Sequence, residues 1–464
     1  MDKLTIYHHL PNLLKTIAAS FKGYQLQRIR YSDYTDTLVE EAIEREKWDS
    51  NRWQTYQQVS IDRILEYAAK EVPFYRSLWD KRKQNGDKAS IHYLENWPIL
   101  HKEELRSSPE AFIAENVNRN KLILDHTSGT SGVPLRLWFD QSAIRQWFAL
   151  FEARWRGWYS LTRKDRWALF GGQLIIPFER KKPPFWVWNY GMNQLYMSTY
   201  HISPAFAYNY LDAIKRYEIK YIYGYASSLY RLAKISNEQG FQSLSNIRAV
   251  ISNAEPLYSY QRKMISQIFG CPVYNTYGQS ENVFGGSECL SGNLHFWPEI
   301  GYPEIMDISH DSPKLENDMG RLICTGLINF AMPLIRYDVG DLLRLNSKNP
   351  QCNCGRKMPI IKEIQGRMED MIVTRDGRWI EGPDTVFQDD WPIREVQIIQ
   401  ESYELIKVLV VPSTGYNQKT TKNIEDGLKK RVGDIEIKVE KVNQIPSGRN
   451  GKRKLIVSHL GQPK

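Results

Sequence analysis

Thr127-Ser128-Gly129-Thr130-Ser131-Gly132-Val133-Pro134 follows closely on the apolar run Leu122–Leu124. Two glycines, four hydroxyl side chains and a proline fall within these eight positions. Glycine lets backbone N–H groups approach an anion closely, and serine or threonine adds donors, so such a loop suits a polyphosphate. It is not the common nucleotide loop, because Val133 rather than a Lys-Ser/Thr pair follows the last glycine. A hydroxyl-rich surface turn is the alternative for the stretch taken alone.

Four further segments follow in order. Tyr277-Gly278-Gln279-Ser280-Glu281 closes the strand-like run Val273–Thr276. A carboxylate at a strand tip suits a hard cation such as Mg²⁺ bridging phosphates, against the alternative of a surface glutamate. Arg336-Tyr337-Asp338-Val339-Gly340-Asp341 places two carboxylates around a glycine turn. Such an aspartate can accept from both hydroxyls of a ribose; the alternative is a turn aspartate paired with Arg336. Gly366-Arg367-Met368-Glu369-Asp370 reads as a hinge. Pro446-Ser447-Gly448-Arg449-Asn450-Gly451-Lys452-Arg453 sets a lysine in a glycine-rich loop, the alternative being a solvated basic tail.

A chain of 464 residues exceeds one hydrophobic core and implies about two or three domains. Apolar content of 42% and charged content of 25% are those of ordinary globular chains. No apolar run approaches the roughly 20 residues that span a bilayer, and no signal-peptide pattern opens the chain. Leu10–Arg30 mixes basic with apolar residues; it reads as a helix packed on its own protein, with membrane-surface contact as the alternative. The net charge of +9 favours anions such as nucleotide, pyrophosphate or coenzyme A, and no nucleic-acid-binding signature accompanies it. Five cysteines, an odd count, point to a reducing, cytoplasmic setting rather than a disulfide scaffold.

Residues 1–100 read as mainly helical, with a helix over Trp53–Ala69 that Pro73 ends. From about 120 to 345, short strands such as Tyr221–Tyr223, Ala249–Ser252, Val273–Tyr277 and Leu322–Thr325 alternate with helices at Ser227–Gln239 and Ser259–Ile268. That alternation predicts an α/β architecture with largely parallel strands. Beyond 366, strands at Met371–Thr374, Glu395–Gln400, Leu405–Val411 and Ile435–Val439, with a helix at Lys419–Arg431, predict a small α+β domain.

In this order and spacing the five segments resemble the adenylate-forming superfamily of acyl- and aryl-CoA synthetases. Within it the likeness is to phenylacetate–CoA ligases and, more closely, to capsule-biosynthesis proteins of the CapK type. It extends upstream through Trp48, Tyr56-Gln57, Val72–Arg76 and Trp97–Lys102 and so covers nearly the whole chain. The resemblance implies a large multi-sheet N-terminal domain over 1–365, a hinge at 366–370 pivoting on Glu369, and a mobile α+β lid over 371–464. It implies ATP-dependent activation of a carboxylic acid as an acyl-adenylate, then transfer to coenzyme A or another acceptor. By the same likeness Ser128, Gly129, Thr130, Ser131 and Gly132 would hold the β- and γ-phosphates and Glu281 would ligate Mg²⁺. Ala254, Glu255, Asn275, Thr276 and Tyr277 would form the adenine wall and the edge of the acyl pocket. Asp341 and Arg367 would hold the ribose, and Lys452 would reach the α-phosphate and the substrate carboxylate. A similar branch of the group implies an alternative, an adenylyltransferase delivering AMP to an acceptor; Val133, where many relatives carry lysine, raises a third reading, a nucleotide-binding scaffold with weakened catalysis. Tyr223-Gly224-Tyr225-Ala226-Ser227 suits an aromatic or apolar acyl group.

Cys352-Asn353-Cys354-Gly355 is a C-x-C turn, and Cys289 and His295 stand in a separate segment with five residues between them. Thiolates and imidazole are soft or borderline ligands, and four such groups match a closed tetrahedral zinc site. Buried structural cysteines beside an unrelated histidine are the alternative. Similar positions recur in the CapK and phenylacetate-ligase group, which implies a structural zinc tying two loops together. Cys271 and Cys324 read as core residues beside strands.

Overall fold

The computed structural model describes residues 3–127, 134–244, 246–308, 310–315, 318–346, 351–367, 372–374, 379–380, 386–387, 391–433, 435–446 and 453–460. The first hundred residues are helical, as their periodicity predicts: α1 (Lys3–His9), α2 (Asn12–Arg30), α3 (Asp33–Arg45), α4 (Ser50–Glu71) and α5 (Pro73–Lys83). Ser32 caps α3 by accepting from the Thr35 amide, and Asp49 caps α4 by accepting from the Arg52 amide. Pro73 ends α4 and opens α5, because the amide it lacks is unpaired in any first helical turn. After the short α6 (Lys102–Ser107), β1 (Ile123–His126) and β2 (Arg136–Phe139) form an antiparallel hairpin around the loop at 127–134. Asp140 then caps α7 (Gln141–Leu150), which runs into a π-helical turn over Phe151–Arg156.

The central α/β run comprises β3 (Trp167–Gly171), β4 (Trp186–Asn189), β5 (Gln194–Ser198), α8 (Ala207–Arg216), β6 (Tyr221–Gly224), α9 (Ala226–Glu238), β7 (Ala249–Ser252), α10 (Ser259–Phe269) and β8 (Val273–Gly278). Strands β5, β3, β6, β7 and β8 are parallel neighbours, and β4 adds an antiparallel edge. The expectation of largely parallel strands stops there. β9 (Gly285–Glu288), β10 (Leu294–Phe296), β11 (Gly301–Met306), β12 (Met319–Gly326), β13 (Tyr337–Asn346) and β14 (Ile360–Arg367) extend the same sheet with antiparallel pairings. The links at 289–293 and 297–300 are too short for the crossover a parallel pair needs. The result is a twelve-stranded sheet in the order β11-β12-β13-β14-β10-β9-β8-β7-β6-β3-β5-β4.

The C-terminal part holds a short pair, β15 (Ile372–Val373) and β16 (Trp379–Ile380), and a separate four-stranded sheet. That sheet comprises β17 (Ile393–Gln400), β18 (Leu405–Pro412), β19 (Glu436–Lys441) and β20 (Ile456–Ser458), in the order β19-β18-β17-β20. α11 (Gln418–Val432) buries Ile424, Leu428 and Val432, one stripe at helical spacing, in a core shared with Ile398 and Val408. The sheet docks on α9 through crossed ion pairs: Arg231 with Glu395 at 2.9 Å, and Arg394 with Glu238 at 2.5 Å. Among the described residues no helix is long and apolar enough to cross a membrane.

Arg154, in the π-helical turn, has no solvent exposure and grips Glu299 with both terminal nitrogens, at 2.9 and 2.6 Å. Arg45 of α3 adds a third contact to the same carboxylate at 3.2 Å. Burial opposes ionisation of Glu299, yet Arg154 and Arg45 hold its carboxyl below the usual value. Glu299→Gln keeps the shape and leaves a buried guanidinium without its anion, a loss of about 3–5 kcal/mol. Because the folded pKa is depressed, the stabilisation is present above the unfolded value and lost as pH falls through the folded one. Denaturant melts across acid pH therefore test it: the variant should be markedly less stable at neutral pH, and its deficit should shrink on acidification.

Candidate active site

Strands β6, β7 and β8 run parallel, so their C-terminal ends open at one edge of the sheet, where α/β sheets bind ligands. The segments that follow them line a cleft of about 2410 Å³, together with Asp341 of β13 and residues of the C-terminal sheet. Ala254, just beyond β7, adopts a left-handed backbone at φ 64°, uncommon for a residue with a side chain. Glu255 beside it accepts from the Ser227 amide and hydroxyl at 2.8 and 3.0 Å. It also accepts from the Arg453 amide of the C-terminal part at 3.2 Å. Asn275 donates its amide to Glu288, and the Thr276 hydroxyl donates to the Ser252 carbonyl, which joins the ends of β7 and β8.

The Tyr277 hydroxyl donates to the carboxylate of Asp341. Asp341 stands opposite Arg367 in the β13–β14 ladder, so the fold brings this sequence pair together. Arg336 does not pair with either carboxylate of its turn. It holds Glu304 in a bidentate contact at 3.1 and 2.9 Å, while Asp338 faces Arg321 and His101. Glu281 is buried and accepts from the Tyr337 hydroxyl at 2.8 Å, a partner the sequence pattern did not indicate. Ala254, Glu255, Asn275, Thr276, Tyr277, Glu281 and Asp341 therefore all line one cleft. Ser128, Gly129, Thr130, Ser131, Gly132, Glu369 and Lys452 lie outside the described residues, as does the side chain of Arg367.

One wall of the cleft is aromatic. Trp147, Phe148, Phe151 and Trp155 recur at helical spacing along α7 and the π-helical turn and face Tyr223 of β6. Ring centres of Phe151 and Trp155 each lie 5.7 Å from that of Tyr223. Gly278 completes the wall: a Cβ there would stand 3.2 Å from Trp155 and 3.4 Å from Trp147, so a side chain would press on both indoles. Burial raises the Tyr223 phenol well above its ordinary pKa and keeps it a neutral donor. At the far side the Arg30 guanidinium lies 4.1 Å from the Phe148 ring centre, with no ion pair or hydrogen bond to a described residue. The sequence reading singled out Tyr223–Ser227 but missed Arg30 and the α7 wall. The 147-151-155 spacing was the available signal, and it is also the spacing of an ordinary core stripe.

The Sγ atoms of Cys289, Cys352 and Cys354 and a ring nitrogen of His295 lie within 4.8 Å of one another. Cys289 and Cys352 stand 3.5 Å apart, and Cys354 is 3.4 Å from His295 Nε2. A tetrahedron with metal–sulfur bonds of about 2.3 Å has edges of about 3.8 Å, so the donor set is close to a closed site. His295 Nδ1 faces the Met358 carbonyl at 3.1 Å and can only donate there, which leaves the Nε2 lone pair for the cluster. The β9–β10 turn and the 352–355 turn bring the four together. Cys271 and Cys324 are buried as expected, away from this set.

A family profile described as AMP-binding enzyme matches residues 54–323, and one described as CapK C-terminal domain matches residues 372–459. The chain is 26% identical to the protein CapK of Staphylococcus aureus over 467 residues, 98% of this chain and 99% of that one. It is 28% identical to the phenylacetate-coenzyme A ligase of Thermus thermophilus over 351 residues, 72% of this chain and 74% of that one. Among solved structures, 2-hydroxyisobutyryl-CoA ligase in the postadenylation state with R3-HIB-AMP matches with a TM-score of 0.68 at 20% identity, covering 89% of this chain and 91% of that one. That last likeness is one of fold. Joined to the parallel-strand cleft, these matches make the chain a member of the AMP-binding enzyme family, with the fold of the adenylate-forming CoA ligases and a CapK-type C-terminal domain.

Proposed function

We propose that the protein activates a carboxylic acid with ATP, releasing pyrophosphate, and passes the acyl group from the acyl-adenylate to coenzyme A. The observation that carries this reading is the convergence of Glu255, Tyr277, Glu281, Asp341 and Arg453, from four separate segments, on one cleft. Asp341 accepts the ribose hydroxyls, with Tyr277 already orienting its carboxylate. Ala254 and Glu255 border the adenine, together with Asn275 and Thr276, and the 128–132 loop takes the phosphates. Glu281, held by Tyr337, offers the carboxylate for Mg²⁺, which neutralises polyphosphate charge when bound. Arg367 completes the ribose contacts.

Attack of a carboxylate on phosphorus joins two anions, so a cation must stand where charge develops. Lys452 supplies it, and its neighbour Arg453 reaches the cleft wall through the hydrogen bond its backbone amide donates to Glu255. The part beyond 371 acts as a lid turning about 366–370 with Glu369 as pivot, so that Lys452 serves one half-reaction and withdraws for the other. The aromatic wall favours an aryl or apolar acyl group, and Arg30, whose guanidinium has no hydrogen bond or ion pair to a described residue, favours one with an acceptor or anionic substituent. Cys289, His295, Cys352 and Cys354 hold a structural zinc that ties the 289–295 hairpin to the 352–355 turn. The free cysteines suit a reducing, cytoplasmic compartment.

Three outcomes test these assignments. Lys452→Ala should slow pyrophosphate release by about 10²–10³-fold, the usual worth of one positioned donor or charge, and spare thioester formation from preformed acyl-adenylate. Equal loss in both half-reactions would remove Lys452 from the chemistry. Asp341→Ala should weaken AMP binding measured by calorimetry; unchanged affinity would leave Asp341 a strand residue only. Metal analysis of protein purified without added metal should find about one zinc per chain, lost in Cys352→Ser with a lower melting temperature, because ligand binding is coupled to folding.

A further inference from the structure

Helix α2 presents three faces. One packs on the turn at Tyr190–Met192: a Cβ on Gly23 would overlap Asn189, one on Gly191 would come within 2.3 Å of the Tyr24 amide, and Ser20 accepts from the Tyr190 amide at 3.1 Å. A second, with Lys22, Leu26 and Arg30, lines the cleft. The third faces solvent, and it is the apolar one. Leu13, Leu14, Ile17, Phe21 and Tyr24 are exposed by 72, 44, 56, 66 and 52%, and they fall on one stripe of the helix. The helix packs its glycine and serine face on the protein, and among the described residues nothing covers the stripe.

The charge around the stripe is one-sided. From Lys3 to Ser32 the sequence has five lysine or arginine residues and no acidic one; Lys15 is buried and Lys22 and Arg30 face the cleft, which leaves Arg28 for the outer face. Arg28 lies exposed at the C-terminal end of the helix. At the other end Arg180 donates to Asn12 at 3.1 Å, which brings the exposed Lys181 and Lys182 alongside, with Glu179 the one acid in that loop. A helix of 19 residues is about 28 Å long, enough to lie flat in an interface with its apolar side chains among acyl chains and its cations among headgroups.

We infer that the outer face of α2 docks the protein on the surface of a bilayer containing anionic lipid. The cleft then opens on the opposite side of a helix that touches the membrane, and this holds whichever acid the cleft takes. Co-sedimentation of the full chain with vesicles tests it. Phosphatidylcholine vesicles carrying about 30% phosphatidylglycerol should bind at least about tenfold more protein than phosphatidylcholine alone, and raised salt should weaken the binding. Ile17→Asp with Phe21→Asp should abolish binding with an unchanged melting temperature, since these side chains support no core. Leu315→Asp, at an exposed leucine outside α2, should bind as the wild type does. Three results overturn the inference: no binding of the wild type to anionic vesicles, undiminished binding of the double variant, or a dimer in solution that the same substitutions dissociate, which would give the stripe to a second copy.

Discussion

Glu299 is the knot of the large unit. Its carboxylate meets Arg154 from the pocket helix and Arg45 from α3, and Arg154 approaches Glu46 at 3.5 Å as well. Glu46 accepts from the Trp158 indole at 2.6 Å and from Arg356 at 2.8 Å, beside the cysteine turn. Four segments distant in sequence are thus joined through a buried pair, Arg154 and Glu299, and its more exposed neighbours Arg45, Glu46 and Arg356. Such a network is costly to bury and worse to break, so it selects one arrangement over near alternatives. Trp155, next to Arg154, inherits that precision: its indole donates to the Gly286 carbonyl at 3.0 Å and its ring forms the cleft wall.

The cleft follows from two kinds of pairing in one sheet. Parallel strands β6 to β8 deliver three loops to the same edge, which antiparallel strands cannot do, since their ends alternate. The antiparallel half then folds back until β13 places Asp341 beside Tyr277. The C-terminal sheet closes over this edge through the Arg231–Glu395 and Arg394–Glu238 pairs. The first of these pairs is largely withdrawn from solvent and the second partly so, and together they set how the sheet sits on α9.

Much of this was legible in the chain. Helices α4, α9 and α10 and strands β6, β7 and β8 fall close to where periodicity puts them, because their apolar patterns are clean and their flanks carry turn residues. Strands β3, β4 and β5 were missed: Trp167–Gly171 and Trp186–Asn189 are aromatic-rich and largely buried on both faces, so they show no alternation. The cysteine–histidine set was readable from ligand chemistry, but its closure depends on β10 pairing with β14, which no local pattern encodes. Helix α2 packs on its own protein, as its sequence suggests, but through its small residues rather than its apolar ones. Leu13, Ile17, Phe21 and Tyr24 have the spacing of a core stripe, and the structure turns that stripe outward because Gly23 and Ser20 allow the closer approach. Arg30 was invisible for the same reason, since only the packing of α2 aims it at Phe148.

Acid-dependent release of pyrophosphate from Mg·ATP, measured across a panel of aryl and aliphatic carboxylic acids with and without coenzyme A, tests the central claim most directly. The account predicts release that requires an acid, AMP formed in equal amount when coenzyme A is present, and preference for an aromatic acid bearing a polar or anionic substituent. Release of orthophosphate with ADP, or pyrophosphate release that is indifferent to every acid, would contradict it.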